Sequence, residues 1–209
     1  MNSLNGLNNI SMLTELYEFT TADGYFNSPV KDTVAYFDLF FRKVPDKGGF
    51  AIMAGLSQVI EYLKNIHFTK EDIDFLREQG ISDAFCDYLK DFKFTCDVWA
   101  IPEGTPIFPN EPIVKVRGPV VEAQLIETAL LMFINQQSLI ATKANRLVRA
   151  SHSTTVAEYG TRRAQGFSQA VLGARAAYIG GCSLTSGIIP QKLFGIPSVN
   201  TMIHSWVQM

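Results

Sequence analysis

The stretch that decides the fold is VVEAQLIETALLMFINQQSLIATKANRLVRA, residues 120–150. It contains no Gly or Pro and is rich in Ala, Leu, Ile and Gln, a composition that favours helix. The pattern predicts one long helix or two abutting helices. It begins directly after Pro119, where the character of the chain changes. We therefore predict two domains, residues 1–119 and residues 120–209.

Short segments follow this helix, and strand and helix signals alternate along them at residues 153–160, 169–181 and 192–199. Such alternation is typical of the opening of an α/β barrel. A complete eight-fold barrel takes roughly 250 residues, whereas about 60 residues follow position 150. The predicted fold class is therefore α/β, with a barrel that is incomplete within residues 120–209.

Before the long helix, the sequence predicts a mixed α+β domain. Strands bounded by Gly and Pro are predicted at residues 33–43, 92–104 and 111–119. Helices are predicted at residues 14–26 and 50–66 and between Thr69 and Gly80, with a turn at residues 46–49. The helix after Thr69 has the best-marked start, because the Thr69 hydroxyl can cap its first turn. Together these elements predict a mixed sheet with helices packed around it.

The charge balance excludes two classes of partner. The formal net charge is −2, so there is no bulk attraction to nucleic acid or to an anionic membrane surface. Charged residues make up 18% of the chain, below the ~25% that is usual for globular proteins. We therefore expect an oligomer, or a missing partner segment, to cover more surface than a lone monomer buries.

The chain is predicted to be a soluble, cytoplasmic protein. Its three cysteines, Cys86, Cys96 and Cys182, are odd in number and show no CxxC spacing. This pattern indicates free thiols in a reducing compartment. Residues 1–12 lack the basic start and the apolar core of a signal peptide. The longest uncharged stretch, residues 128–142, is too short and too polar to span a bilayer.

Two stretches could meet a phosphate group, and each also has a simpler interpretation. Arg162 and Arg163 in EYGTRRAQG (158–166) could offer guanidinium forks to a phosphate. By spacing alone, an ordinary pair of surface arginines is the more common case. The loop IGGCSLTSG (179–187) could cradle phosphate with its backbone N–H groups. It matches neither of the usual phosphate-loop patterns, so an ordinary turn is favoured there.

The chain has three histidines, and no two of them lie close together in sequence. No metal-binding spacing such as HExxH occurs. A single histidine is usually structural or exposed. His204 is distinguished by its position after FGIP, residues 194–197, where a barrel strand would end in a loop. Catalytic groups concentrate at such strand ends in barrel enzymes, so His204 is the candidate catalytic residue.

A series of ordered, uninterrupted motifs carries a family resemblance. The motifs are LTELYEFTTADGYF (13–26), LFFRKVPDKGGFAIMAGL (39–56), WAIPEGTPIFPNEPIVKVRGP (99–119), AQLIETALLMFINQQSLIATKA (123–144), EYGTRRAQG (158–166), ARAAYIGGC (174–182), KLFGIP (192–197) and TMIHSWV (201–207). From its start to its last residue, the chain resembles the nicotinate phosphoribosyltransferases. The resemblance implies the N-terminal portion of a type II phosphoribosyltransferase, in which an α+β domain precedes an irregular α/β barrel.

The resemblance also implies a reaction. Members of that family make nicotinate mononucleotide and pyrophosphate from nicotinate and phosphoribosyl pyrophosphate. They couple this transfer to the hydrolysis of ATP and use magnesium. An active-site histidine is transiently phosphorylated, and the matching residue here is His204. A neutral imidazole near pH 7 is nucleophilic and can hold a labile phosphoryl group.

Four further residues match positions that bind substrate in the family. Tyr17 matches a tyrosine that stacks on the pyridine ring from across a dimer interface, and Tyr159 matches an aromatic position on the other face of the ring. A flat heteroaromatic ring between two aromatic side chains is a favourable arrangement. Arg162 would contact the phosphate of substrate or product, and Thr201 would line the nicotinate pocket. The role of Tyr17 implies a homodimer.

The last part of the chain differs from the family's sequence motifs at several positions. Family members read like GGCDGTSN and GTMAHSWV, whereas this chain has Ser183 in place of an acidic residue and Gly187 in place of Asn. It also has Asn200 in place of Gly and Ile203 in place of Ala. The lost carboxylate is expected to weaken the binding of magnesium or ribose. Asn200 can adopt the backbone conformation of a glycine, while Ile203 adds bulk beside His204.

Members of the family are also longer than this chain. The remaining barrel strands are absent, together with the arginine that grips the nicotinate carboxylate and much of the phosphoribosyl pyrophosphate site. We therefore expect the front portion of an enzyme of pyridine nucleotide salvage. The alternative is a catalytically inactive fragment that acts only as a dimerising subunit, through the region of Tyr17. A third hypothesis, a relative that prefers nicotinamide, is disfavoured by RRAQG and HSWV.

Overall fold

The computed structural model describes residues 9–152 and 154–209. This part of the chain forms two compact units, each built from separate stretches of sequence. The first unit comprises the chain up to Phe41, Leu56–Ile101 and Asn110–Ile134, and the second comprises Arg42–Gly55, Pro102–Pro109 and Asn135–Met209. The domain boundary between residues 119 and 120 stays a prediction, because packing units and domains divide a chain by different criteria.

Helices and strands are mixed along the whole described chain. In chain order, the helices are α1 (Leu16–Phe26), α2 (Leu56–Asn65), α3 (Lys70–Glu78), α4 (Asp83–Lys90), α5 (Val120–Gln124), α6 (Glu127–Ala150), α7 (Phe167–Ile179), α8 (Ile188–Phe194) and α9 (His204–Gln208). The strands are β1 (Val34–Leu39), β2 (Ala51–Ile52), β3 (Asp97–Ala100), β4 (Pro106–Ile107), β5 (Val114–Pro119), β6 (Ala157–Glu158) and β7 (Leu184–Thr185). Short 3-10 helices lie at Pro45–Lys47 and Thr161–Arg163. This mixture confirms the predicted α/β fold class.

The first unit contains an antiparallel sheet of three strands in the order β1-β5-β3. Val116 of the central strand pairs with Phe37 on one side and with Val98 on the other. Val114 and Val116 are buried, whereas Arg117 on the opposite face is exposed. This alternation places one face of the sheet on the core and leaves the other to solvent. The three strands confirm the predicted positions, and each is shorter than the predicted segment.

Helix α3 of the first unit begins and ends as predicted. The Thr69 hydroxyl accepts the backbone N–H of Asp72 at 3.2 Å, and the Asp72 carboxylate accepts the backbone N–H of Thr69 at 2.8 Å. This reciprocal pair satisfies two N–H groups that have no partner within the helix. Gly80 follows the helix with φ +87°, a conformation that residues with a side chain rarely adopt and that stops the helix.

The helix predicted over residues 50–66 is wrong in its first third. Residues Ala51–Ile52 form strand β2, which pairs antiparallel with β4, and helix α2 begins only at Leu56. The backbone N–H groups of Ile52 and Ala54 donate to the hydroxyls of Thr142 and Ser138 at 2.8 and 3.0 Å. Tertiary partners on α6 therefore satisfy the backbone groups that a helix would have used internally.

The stretch after Pro119 forms two abutting helices, α5 and α6, so the second of the two predicted alternatives is confirmed. Helix α6 is 24 residues long. Its first turns, up to Ile134, belong to the first unit, and the rest belongs to the second. The same helix therefore contributes to the core of both units.

The second unit contains the start of a parallel sheet. β6 pairs in parallel with β7, and a single parallel bridge joins Thr185 of β7 to Ser198. Helix α7 lies between β6 and β7 in sequence, and α8 lies between β7 and Ser198. Small buried side chains of α6 and α7, Ala144 and Ala177, pack with Cys182. This succession of strand and helix is the predicted barrel-like alternation.

The predictions about membrane spans and a signal peptide can be compared with the structure only over the described residues. Among the described residues, no helix is both long enough and apolar enough to cross a membrane. The prediction that residues 1–12 contain no signal peptide falls largely outside the described residues, which begin at residue 9. Ser153, the first residue of the segment predicted at 153–160, also lies outside them.

Candidate active site

A cleft lies where the parallel strands of the second unit end. Tyr159 follows β6, Ser186 follows β7, and Val199–Thr201 follow the bridge at Ser198. Because the strands are parallel, these segments leave the sheet at the same edge. They line a cleft of about 570 Å³. The carboxyl ends of parallel strands are where barrel enzymes bind substrate, so this cleft is the candidate active site.

Backbone hydrogen bonds hold this edge of the sheet together. The N–H of Ser186 donates to the carbonyl of Glu158 at 2.8 Å, and the N–H of Val199 donates to the carbonyl of Thr185 at 2.9 Å. The N–H of Thr185 donates in turn to the carbonyl of Pro197 at 3.0 Å. The three loops that form the cleft are therefore fixed relative to one another at their first residues.

The Glu158 carboxylate joins two of these loops through its side chain. It accepts a hydrogen bond from the Thr185 hydroxyl at 3.0 Å and another from the backbone N–H of Gly160. The Thr185 hydroxyl, which is buried, also accepts the N–H of Gly187 at 3.1 Å. Nothing in the sequence alone assigned a role to Glu158. The available signal was an acidic residue at a strand end, followed within two residues by glycine.

Two of the predicted substrate residues line the cleft together. Tyr159 is about half-exposed, with 45% of its surface accessible, and Thr201 is exposed. Both lie on the cleft surface. Their sequence separation is large, so only the parallel strand pairing brings them together. The structure thus offers an aromatic ring and a hydroxyl to a ligand in the same cleft.

Arg162 and His204 are not among the residues that line this cleft. Arg162 lies in the 3-10 helix Thr161–Arg163 and is exposed. Within the described chain its guanidinium has no hydrogen-bond or ion-pair partner, as expected of a group that is available to an anion. His204 is exposed and is the first residue of α9, a helix of five residues. It follows the loop that carries Thr201.

Tyr17 belongs to the first unit, on helix α1. Its ring is 45% exposed. Burial and the nearby Glu127 carboxylate raise the pKa of Tyr17 to about 12. The next residue, Glu18, is completely buried, and its carboxylate accepts the hydroxyl groups of Thr14 and Thr128. The sequence analysis singled out Tyr17 and missed the buried carboxylate beside it.

The cysteines are free, as predicted. Burial raises the pKa of all three thiols above the ordinary value, and Glu122 adds to the effect at Cys96, whose pKa reaches about 12. Neutral, buried thiols are poor nucleophiles and poor metal ligands. The cysteines are therefore structural residues.

The described residues do not form a metal centre of their own. No group of three or more His, Cys, Asp and Glu side chains in this part of the chain could hold a metal ion. Near the cleft, the Glu158 carboxylate is already engaged by two hydrogen bonds, and Ser183 offers no carboxylate. Magnesium prefers carboxylate and phosphate oxygens, so these residues do not fit a dedicated magnesium site.

The residues that differ from the family's sequence motifs have unstrained backbone conformations. Gly187 has φ −85° and ψ 129°, and Ile203 has φ −96° and ψ 154°, which are extended conformations open to any residue. Asn200 has no positive φ, so a glycine conformation is not needed at this position. The Ile203 side chain is exposed rather than packed into a core.

Comparison with known proteins agrees with the motifs. Residues 12–135 match the model of the nicotinate phosphoribosyltransferase (NAPRTase) N-terminal domain. The chain is 43% identical over 199 residues to nicotinate phosphoribosyltransferase pncB2 of Mycobacterium tuberculosis and 44% identical over 200 residues to nicotinate phosphoribosyltransferase of Bacillus subtilis. These alignments cover 95% of this chain but only 43% and 41% of the relatives, so the chain spans less than half of their length.

Solved structures show the same relationship. The crystal structure of human nicotinic acid phosphoribosyltransferase superposes with a TM-score of 0.86 at 34% identity, covering 93% of this chain and 40% of that one. The structure of nicotinate-nucleotide pyrophosphorylase from Pyrococcus furiosus superposes with a TM-score of 0.76 at 25% identity, covering 95% and 43% of the two chains. By its sequence and by its fold, the chain belongs to the nicotinate phosphoribosyltransferase family.

Proposed function

We propose that this chain supplies the front part of a nicotinate phosphoribosyltransferase of NAD biosynthesis. The proposed reaction joins nicotinate to phosphoribosyl pyrophosphate, with hydrolysis of ATP, and yields nicotinate mononucleotide, pyrophosphate, ADP and phosphate. One observation carries the proposal beyond family membership. Tyr159 and Thr201, which match substrate-binding positions of the family, line one cleft at the carboxyl ends of the parallel strands.

In this proposal the cleft binds the pyridine ring of nicotinate. Tyr159 covers one face of the ring, and its exposed aromatic surface suits such stacking. Tyr17 of a second copy covers the other face, which makes a homodimer part of the proposal. Thr201 provides a hydroxyl at the wall of the pocket. The ring nitrogen then attacks C1 of the ribose, a C–N bond forms, and the bond between C1 and the pyrophosphate oxygen breaks.

Two charged or nucleophilic groups act on phosphates. Arg162 binds the phosphate of the substrate or product, because its guanidinium is exposed and has no partner in the described chain. The His204 imidazole attacks the terminal phosphoryl group of ATP and releases ADP, and water later hydrolyses the phosphohistidine. An exposed histidine at the start of α9 is accessible to a nucleotide. Because these residues do not fit a dedicated magnesium site, no step is assigned to magnesium.

The runner-up function is a catalytically inactive subunit that only dimerises with a longer relative. The observation that favours it is the exposure of large apolar side chains late in the second unit, namely Ile188, Leu193, Met202, Ile203, Trp206 and Val207. Exposed apolar patches mark surfaces that another polypeptide covers. The free thiols support a further part of both proposals, a reducing location such as the cytoplasm.

The test is an activity assay of the 209-residue chain with nicotinate, phosphoribosyl pyrophosphate, ATP and magnesium. Nicotinate mononucleotide is separated chromatographically, and phosphate on histidine is followed with labelled ATP. If this front part carries a usable site, product and phosphohistidine form in the wild type and are lost in His204→Ala. His67→Ala is the matched control, since His67 is another exposed histidine. Absence of both product and phosphohistidine in the wild type would favour the inactive subunit.

A further inference from the structure

Glu18 is a buried carboxylate that the proposed mechanism does not use. It lies on α1 directly after Tyr17 and has 0% of its surface exposed. Its carboxylate accepts the hydroxyl groups of Thr14 and Thr128 and, at 3.2 Å, the backbone N–H of Thr128. A buried carboxylate is costly unless hydrogen bonds satisfy it. The position of Glu18 is therefore defined closely by these three donors.

The contact with Thr128 joins α1 to the beginning of α6. Thr128 is the second residue of α6, and its N–H is one of the first four that have no partner within the helix. The Glu18 carboxylate supplies the missing acceptor from another helix. Its negative charge also lies at the positive end of the dipole of a 24-residue helix. Both effects stabilise one position of α1 relative to the start of α6.

The neighbouring residues make a second, parallel contact. The Glu127 carboxylate lies close enough to the Tyr17 hydroxyl to raise its pKa, and it accepts a hydrogen bond from the Gln124 side-chain amide at 3.0 Å. Two consecutive residues of α1 thus lie beside two consecutive residues of α6. A rotation of α1 about its axis would displace the Glu18 carboxylate from Thr128. Tyr17 is nevertheless 45% exposed, and a fixed helix presents this exposed side chain in one direction.

We propose that Glu18 is a positioning residue, which holds α1 so that Tyr17 presents its exposed ring in a single orientation. Glu18 itself is completely buried and acts through Tyr17. The use of that ring, stacking on the pyridine ring of nicotinate, rests on the proposed function. The orientation of the ring does not rest on it and is measurable without catalysis.

The first unit offers a matched control for this carboxylate. Glu122 of α5 is also buried, and it accepts the backbone N–H and the hydroxyl of Thr95 at 2.5 and 3.0 Å. Glu122 therefore resembles Glu18, whose carboxylate also accepts the backbone N–H and the hydroxyl of one threonine, Thr128. Glu122, however, holds the segment before β3, although its helix α5 also packs against α1. A general loss of stability is therefore expected from both substitutions, and the larger change at Tyr17 from that of Glu18.

The experiment follows the ring of Tyr17 by fluorine NMR in the whole chain. The seven tyrosines are replaced with 3-fluorotyrosine, and the Tyr17→Phe variant identifies the Tyr17 signal by its loss. We expect Glu18→Leu to displace or broaden this signal. Glu18→Gln keeps an amide oxygen for the N–H of Thr128, so it is expected to restore the wild-type position. Glu122→Leu is expected to displace the Tyr17 signal less than Glu18→Leu does, because Glu122 reaches α1 only through the packing of α5.

An unchanged Tyr17 signal in folded Glu18→Leu would overturn the proposal, and so would an equal displacement in Glu122→Leu. If Glu18→Leu does not fold, Thr128→Val decides the question, because it removes one hydroxyl donor and keeps the backbone N–H. A smaller displacement in the same direction supports the positioning role. A Thr128→Val chain with the wild-type signal contradicts it.

Addition of nicotinate and phosphoribosyl pyrophosphate to the labelled wild type separates this proposal from the proposed function. A Tyr17 signal that ignores the substrates but still depends on Glu18 would remove Tyr17 from the substrate site and leave the positioning role intact. A signal that responds to the substrates but not to Glu18→Leu would keep Tyr17 in the substrate site and would contradict the positioning role of Glu18.

Discussion

The three-stranded sheet of the first unit and the parallel sheet of the second unit are built on different principles. In the first unit, β1 and β5 share six consecutive residue pairs, and side chains alternate between a buried and an exposed face. In the second unit, β6 and β7 share two residue pairs, and a single bridge adds Ser198. The long sheet is held by its backbone ladder. The short one has fewer residue pairs, and the hydrogen bond from the Thr185 hydroxyl to the Glu158 carboxylate adds to its backbone hydrogen bonds.

This difference indicates that the first unit provides stability and that the parallel edge of the second unit carries the reactive groups, a division of labour between the units. The first unit holds most of the large, fully buried side chains, whereas residues 201–209 of the second unit are all exposed. The candidate catalytic and phosphate-binding residues belong to the exposed, loosely built region. We therefore expect substitutions in the first unit to act mainly on stability and substitutions at the parallel edge to act mainly on the reaction.

The largest expected effect is on the core of the first unit. Phe85 is fully buried on α4, so Phe85→Ala is expected to lower the free energy of unfolding by about 3–5 kcal/mol. Phe75→Ala is the matched control, because Phe75 lies on α3 with its ring exposed. Urea denaturation measures both. A loss below about 1 kcal/mol for Phe85→Ala would show that this unit is not the stable scaffold.

The next largest effect is expected from the Glu158 carboxylate, which joins two loops at the edge of the parallel sheet. Glu158→Ala removes the acceptor for the Thr185 hydroxyl and the Gly160 N–H, which frees two loops of the cleft. Loss of alignment on the scale of 1 Å costs about 100-fold in rate, and we expect that decrease in kcat/KM for nicotinate. Glu111→Ala, at an exposed position, should have the wild-type value. Equal activities would break the comparison between the two sheets.

A smaller effect is expected at the proposed stacking residue. Tyr159→Ala should raise the KM for nicotinate by about 10-fold, since an aromatic pair contributes ~0.5–1.5 kcal/mol. Tyr159→Phe keeps the ring and should keep the KM. Tyr178→Ala serves as a control, because Tyr178 is an exposed tyrosine of the same unit outside the cleft lining. A normal KM in Tyr159→Ala would exclude stacking at this position.

Removal of the N-terminal cap of α3 is expected to lower the stability of the first unit without affecting the reaction. Thr69→Ala removes the acceptor for the Asp72 N–H and should cost about 1 kcal/mol of unfolding free energy. Thr69→Ser keeps the hydroxyl and should restore most of it. Denaturant titration of the three chains checks this. An effect of Thr69→Ala on kcat/KM at temperatures where the chain is fully folded would contradict the division of labour.

A pH dependence of the stability is expected at Cys96. Burial raises its pKa from the ordinary 9.0 to about 12, so the folded state favours the neutral thiol. The corresponding stability is fully present below pH 9 and is lost as the pH rises towards 12. Cys96→Ala should therefore lose stability less steeply than the wild type between pH 8 and pH 10 in urea titrations. Parallel slopes would show that the thiol is not desolvated.

The sequence by itself determined the elements whose causes are local. The cap at Thr69, the stop at Gly80 and the absence of Gly and Pro over residues 120–150 act through neighbouring residues, so helices α3, α5 and α6 follow from short-range rules. The ordered motifs likewise led directly to the family. They also named Tyr159 and Thr201, which the structure places in one cleft.

Only the tertiary structure decided the features that depend on distant partners. Residues Ala51–Ile52 form a strand rather than a helix because Thr142 and Ser138 accept the backbone N–H groups of Ile52 and Ala54. Glu18 and Glu158 look like ordinary surface acids in sequence, and only folding gives them their donors. A hydrogen bond across many residues leaves no periodic trace in a sequence, since either partner alone is compatible with many environments. Burial of a carboxylate is therefore visible only once the chain is folded.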